Sequence, residues 1–191
     1  ARQRDGEKQS WRNIPIRAAD DAYLAASTYD FKLIAEGYGP DPEDVWAALS
    51  RDPTLAVAGG GMVPTEAGGE EDWRPIQVEG LFYQDETMSP VTIEMREPRS
   101  GALSEVTLVG VLDRIHESQS TMFTSKGFVD GLVPYSVPIT NYRFTVAEEV
   151  DQKETAQAIE KNLLEHGMET EVLEEVLEEE FAAGRSIFRL F

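Results

Sequence analysis

Tyr29-Asp30-Phe31-Lys32-Leu33-Ile34-Ala35-Glu36, then Asp41-Pro42-Glu43-Asp44-Val45-Trp46-Ala47-Ala48-Leu49, then Thr54-Leu55-Ala56-Val57-Ala58, is the stretch that decides the fold. In its first part Phe31, Leu33 and Ala35 recur at every second position, the period of a half-buried strand. Gly37-Tyr38-Gly39-Pro40 reads as a turn. Asp41 suits an N-cap, Pro42 suits the first helical position, and acids at 43 and 44 suit the positive end of a helix. Val45, Trp46, Ala48 and Leu49 then supply one buried helical face. Asp52-Pro53 stops the helix, because a residue before proline avoids the α region. Residues 29–58 therefore read as a strand–helix–strand unit.

Downstream the period changes. Ile76, Val78 and Gly80 alternate with Gln77, Glu79 and Leu81, and Val91, Ile93 and Met95 alternate with Thr92, Glu94 and Arg96. Glu97-Pro98-Arg99-Ser100-Gly101 reads as a hairpin loop, and Val106–Leu112 as an apolar return strand. Residues 116–136 are weakly patterned. Tyr142, Phe144 and Val146 again alternate as a strand. Asp151 and Glu154 resemble a capping box ahead of a helix that carries Ala156, Ile159, Leu163 and Leu164. His166 falls in its last turn and Gly167 at C′. Met168–Val172 reads as a short strand. Leu173, Val176, Leu177 and Phe181 form the stripe of a further helix whose wet face is Glu174–Glu180. The fold class expected is α+β, with helices near 41–51, 152–166 and 172–183 and a β-rich middle over 74–113. Residues 1–13 are polar and are expected to fray, with order beginning at Ile14-Pro15-Ile16.

Composition narrows the function. The 191 residues hold 17 Lys and Arg against 36 Asp and Glu, for a net charge of −19. That balance argues against nucleic acid and anionic membranes as partners. Without cysteine there is no thiol nucleophile, thiolate zinc site or disulfide scaffold. No apolar run reaches the ~20 residues of a membrane span. No cofactor is expected.

Individual motifs carry little chemistry. Gly59-Gly60-Gly61 lacks the Lys and Ser/Thr of a phosphate loop and reads as a turn. Glu70-Glu71-Asp72 and Asp41-Pro42-Glu43-Asp44 offer hard oxygen ligands for calcium, but neither matches an EF-hand, so they read as a solvated loop and a helix cap, and no metal site is assigned. His116, near Asp113, Ser118 and Ser120, reads as an ordinary residue at a strand end; a hydrolase using His116 with Asp113 is the rival. There is no Gly-x-Ser-x-Gly elbow, so no catalytic residue is assigned. His166 reads as a cation at a helix C-terminus. Among the aromatics, Trp46 reads as core. Phe123 and Phe128, in the least structured stretch, are the candidates for an exposed partner contact.

Several segments together resemble the extracytoplasmic core domain of FtsX/MacB-type ABC transporter permeases: Tyr29-Asp30-Phe31 opening a strand, Asp41–Leu49 with Asp52–Val57, Gly101–Asp113, Tyr142–Val146 with the helix ending at His166-Gly167, and Ser186-Ile187-Phe188-Arg189-Leu190-Phe191. The resemblance implies one extracytoplasmic domain over residues 1–191. Its porter-like α/β lobe would comprise 14–64 and 137–183, with a β-rich lobe, 65–136, inserted between them. Residues 184–191 would lead into a transmembrane helix. It also implies a non-catalytic role, coupling ATP hydrolysis on a cytoplasmic ABC subunit to an extracytoplasmic protein or lipid at the cell membrane, with the full transporter a dimer. The alternative is a secreted or lipid-anchored binding module with no transporter behind it. If the resemblance holds, the open reading frame places a span of ~20 apolar residues within about ten residues after Phe191 and another before Ala1. Sequencing the complete gene checks this; a frame that stops just after Phe191, or runs on for a hundred polar residues, contradicts it.

Overall fold

The computed structural model describes residues 1–4, 6, 10–66, 76–114, 119–147, 149–172 and 175–176. They fall into two compact units, residues 1–139 and 140–191.

The first unit is built on seven strands: β1 (Arg2–Gln3), β2 (Ile16–Ala19), β3 (Phe31–Ile34), β4 (Leu55–Ala58), β5 (Val91–Arg96), β6 (Leu103–Leu112) and β7 (Met122–Ser125). Their order is β1-β5-β6-β4-β7-β2, with β3 paired to β6 outside that path. β6 runs parallel to β4, which occupies one edge from Thr107 to Val111. On its other edge, β5 pairs antiparallel from Leu103 to Leu108 and β3 antiparallel from Gly110 to Leu112. One strand therefore joins the flanking strand–helix–strand unit to the β-rich middle in a single mixed sheet, and the molecule is α+β as its periodicities predict. The middle, residues 65–136, contributes β5, β6 and β7 to the same sheet as β2, β3 and β4.

Among the described residues three α-helices accompany the sheet: α1 (Asp21–Ala25), α2 (Pro42–Arg51) and α3 (Lys126–Leu132). α2 is the predicted helix, with Pro42 in its first turn and Val45, Trp46 and Leu49 buried. Trp46 packs at 5.3 Å from the Phe31 ring, 6.0 Å from Phe123 and 6.4 Å from Tyr29, with Tyr29 and Phe123 5.8 Å apart. These tilted contacts are the favoured geometry for aromatic rings. They bind β3, β7 and α2 together.

Several expectations need correction. The N-terminal residues do not simply fray: β1 pairs with β5, and Trp11 carries the Arg2 and Arg96 guanidinium groups at 4.7 and 4.4 Å from its ring. Cation–π contacts give a polar segment a reason to order. Ile76 and Val78 do not form a strand; both are buried, with the Val78 N–H donating to Met62 O at 2.9 Å. The weakly patterned stretch holds β7 and α3. All four β7 residues are buried between β4 and β2, so the strand shows no alternation to read. Ser125 caps α3 by accepting from the Phe128 N–H.

In the second unit the helix forms as predicted, as α4 (Gln152–Leu163). The Asp151 side chain accepts from the Glu154 N–H, and a 3-10 turn over Leu164–His166 ends at left-handed Gly167. The strand expected over Tyr142–Val146 is not there, and neither is the one over Met168–Val172. Alternation alone does not make a strand; a ladder partner does, and none is paired to these segments among the described residues. Tyr142 and Phe144 are 58% and 54% exposed. Of the helix expected at 172–183, only Val172, Glu175 and Val176 are described, the last two helical.

Phe123 and Thr124 are successive β7 residues on opposite faces of the sheet, and both are fully buried. Phe123→Ala is expected to cost about 3–5 kcal/mol. Thr124→Val should be neutral or stabilising by up to about 1 kcal/mol, because the Thr124 hydroxyl has no hydrogen-bond partner among the described residues. Urea unfolding of both variants checks the pair.

Candidate functional site

The directions of the strands bring several loops to one end of the sheet. β4 and β6 finish there, while β2, β3 and β7 begin there. Backbone hydrogen bonds close this end: Asp113 N–H to Asp30 O at 2.9 Å, Gly59 N–H to Thr121 O at 2.9 Å and Met122 N–H to Pro15 O at 3.0 Å. In open sheets with parallel strands, the carboxyl ends are where ligands commonly sit.

Four polar side chains gather at that end. The Tyr83 hydroxyl donates to Asp113 Oδ1, which also accepts the Arg114 N–H at 2.8 Å. The Arg114 guanidinium lies 4.3 Å from the Tyr83 ring centre and reaches Val63 O at 3.4 Å, while Lys32 Nζ on β3 stands 5.8 Å from the same ring. Tyr83 itself is held by its N–H to Pro64 O at 2.8 Å.

The glycine run sits beneath this group. Gly60 opens a 3-10 turn, Gly60–Met62. A Cβ on Gly60 would come within 2.7 Å of Leu112 O and 2.9 Å of Arg114 Cγ. Glycine is needed here so that the turn can pass under Arg114, which agrees with the reading of the run as a turn.

The electrostatics follow from these contacts. The Tyr83 hydrogen bond, the Arg114 N–H and the Lys32 charge hold the Asp113 carboxyl below its ordinary value. Burial and the hydrogen bond to Asp113 push the Tyr83 hydroxyl up. The carboxylate and hydroxyl thus engage each other, and the cations balance the pair. The arrangement ties the 79–88 loop and the 59–64 turn to the end of β6.

The residues singled out from sequence are placed differently. Phe123 is 0% exposed and Phe128 6%, so both belong to the core and neither offers a partner contact. Phe123 is covered by Tyr29 and Trp46, and Phe128 lies in the first turn of α3, its N–H capped by Ser125. His116, the Glu70–Asp72 triplet and the Ser186–Phe191 segment lie outside the described residues. Among the described residues no group of three or more Asp, Glu or His is placed to hold a metal ion, and no helix is long and apolar enough to cross a membrane. Sequence proximity pointed from Asp113 to His116; the structure gives Asp113 a partner 30 residues upstream, Tyr83. No local pattern carries that signal. No family model, no curated protein and no solved structure matches this chain.

The pH dependence follows from the two shifts. A carboxyl whose folded value lies below the ordinary 3.8 stabilises the fold above that range and loses its contribution as pH falls through the folded value. A phenol raised above 10.0 contributes fully below pH 10 and loses its contribution as pH rises through the raised value. Urea midpoints measured from pH 3 to 11 should therefore decline at both ends. Asp113→Asn should make the acid limb shallower and Tyr83→Phe the alkaline one.

Proposed function

We propose that this chain is the extracytoplasmic domain of an FtsX/MacB-type ABC transporter permease. In this reading it does no chemistry of its own. ATP is hydrolysed on a cytoplasmic ABC subunit, and this domain passes the resulting movement to a protein or lipid outside the membrane. The parent permease sits in the cell membrane as a dimer, with this segment on the outer side.

One observation carries the reading. Among the segments that resemble the family, Gly101–Asp113 is remote in sequence from Tyr29–Phe31, Asp41–Leu49 and Asp52–Val57, yet it joins them in one contiguous piece of fold. They are the start of β3, α2, β4 and the whole of β6, with β6 paired to β3 on one edge and to β4 on the other. A likeness confined to hydrophobic pattern carries no requirement that its parts be neighbours. Of the closing strand–helix segment, the helix ending near His166-Gly167 is α4, while Tyr142–Val146 forms no strand. The Tyr83–Asp113–Arg114 group fits a mechanical role, since it fixes loops to the sheet and leaves its carboxylate engaged.

The test uses the complete open reading frame expressed in membranes with its ABC subunit. Leu103, 66% exposed at the start of β6, offers a labelling point. Leu103→Cys should react with a membrane-impermeant maleimide from the outer side only, with the unsubstituted protein as blank. The ABC subunit should copurify, and replacing residues 1–191 by a flexible linker should leave ATP binding intact while abolishing transport. Labelling from the cytoplasmic side, or no associated ABC subunit, overturns the proposal. Turnover of an ester, phosphate or glycoside panel that is lost in His116→Ala would favour the hydrolase instead.

A further inference from the structure

A cleft opens where β6 exchanges one neighbour for another. β5 holds its edge through Leu108, and from Val109 the edge passes to the β3 side, with the Ala35 N–H donating to Val109 O at 2.9 Å. Residues just past β3 and just before β5 meet at the Ala35–Met88 bridge, where the Glu36 N–H donates to Met88 O at 3.3 Å. The space beside that bridge is a cleft of about 730 Å³, within the usual range for small-molecule sites of roughly 300–1,000 Å³.

Its lining has two characters. Leu81 and Met88, each 5% exposed, are joined by half-buried Ile34 and Val91 to form an apolar floor. Methionine adapts to irregular apolar shapes. Exposed Glu36 and half-buried Asp85 also line the cleft, with Thr87 and Ser89. Asp85 is fixed in place, because its Oδ2 accepts the Phe82 N–H at 2.8 Å. Among the described residues its Oδ1 and the Glu36 carboxylate have no partner, and none of those lining the cleft is Lys or Arg.

We propose that this cleft binds an organic cation with an apolar body: the body rests on Leu81, Met88, Ile34 and Val91, and the charge lies between Glu36 and Asp85. Charge complementarity selects the ligand. Two carboxylates without a cationic partner among the described residues, beside apolar surface, disfavour anions and favour a weakly hydrated cation, which loses little by leaving water. The chain's net charge of −19 raises the local concentration of cations further. The inference is independent of the permease reading, since it rests only on the cleft.

Tetraphenylphosphonium is the probe, and tetraphenylborate, of the same shape and opposite charge, is its control. Calorimetric titration of the 191-residue chain should show saturable one-to-one binding of the cation and none of the anion. Glu36→Gln with Asp85→Asn should weaken binding about tenfold or more. The amide introduced by Asp85→Asn retains an oxygen acceptor for the Phe82 N–H, so the loop keeps its turn. Glu43→Gln with Asp44→Asn, the same charge change in the first turn of α2, should leave affinity within about twofold. In the unsubstituted chain, the Met88 methyl resonance should shift on saturation. Equal weakening by both double variants would reduce the effect to general attraction to an acidic protein and overturn the site. Binding of tetraphenylborate, absence of saturation, or an unmoved Met88 methyl would overturn it as well.

Discussion

The strand β6 is the constraint on which the rest of the first unit depends. Ten residues long, it is paired along both edges: β4 on one, β5 and then β3 on the other. Each of its backbone hydrogen bonds is worth only about 0.5–1.5 kcal/mol net, yet together they set the register of every neighbouring strand. Its burial changes along its length to match. The first half is partly exposed where it lies beside β5, and the last half is buried on both faces. Gly110 marks the transition. A Cβ there would lie 2.6 Å from Phe31 Cε1, so the absence of a side chain lets the Phe31 ring cross the strand and meet Trp46.

From that crossing the core spreads by aromatic contact. Phe31, Trp46, Tyr29 and Phe123 link β3, α2 and β7, although no two of these three elements pair backbone to backbone. Each buried aromatic side chain removes a large apolar area from water. That burial works here against the mutual repulsion of 36 acidic groups. The acids are kept outside or given donors. Glu97, buried in the β5–β6 turn, accepts the Ser100 N–H, and this holds its carboxyl below the usual range. Asp113 takes the Tyr83 hydroxyl and the Arg114 N–H.

The second unit obeys a different balance. α4 has a capped start and a left-handed stop, and its stripe of Ala156 and Ile159 is half-buried, but none of its residues is fully buried. A twelve-residue helix is marginal on propensity alone. Its support within the unit comes from local contacts: Thr170 Oγ1 donates to Ala156 O at 3.0 Å, and Lys153 pairs with Glu175 at 3.0 Å.

Local chemistry in the sequence was enough for α2, α4, β5, most of β6 and the α+β class. Each has a short-range signal: a cap and a proline, a period of two or of 3.6, a loop of turn residues. Those signals arise within about ten residues and survive whatever the chain does elsewhere. Tertiary structure alone decided that β4 lies between β6 and β7, that Phe123 and Phe128 are core, and that Tyr142 and Phe144 stay exposed despite their alternation. It likewise decided that Asp113 answers to Tyr83. Burial and pairing depend on which segments meet across dozens of residues, and a fully buried strand such as Met122–Ser125 carries no alternation to announce itself. The cleft beside Met88 follows the same rule, for it exists only because two strands divide one edge of β6 between them.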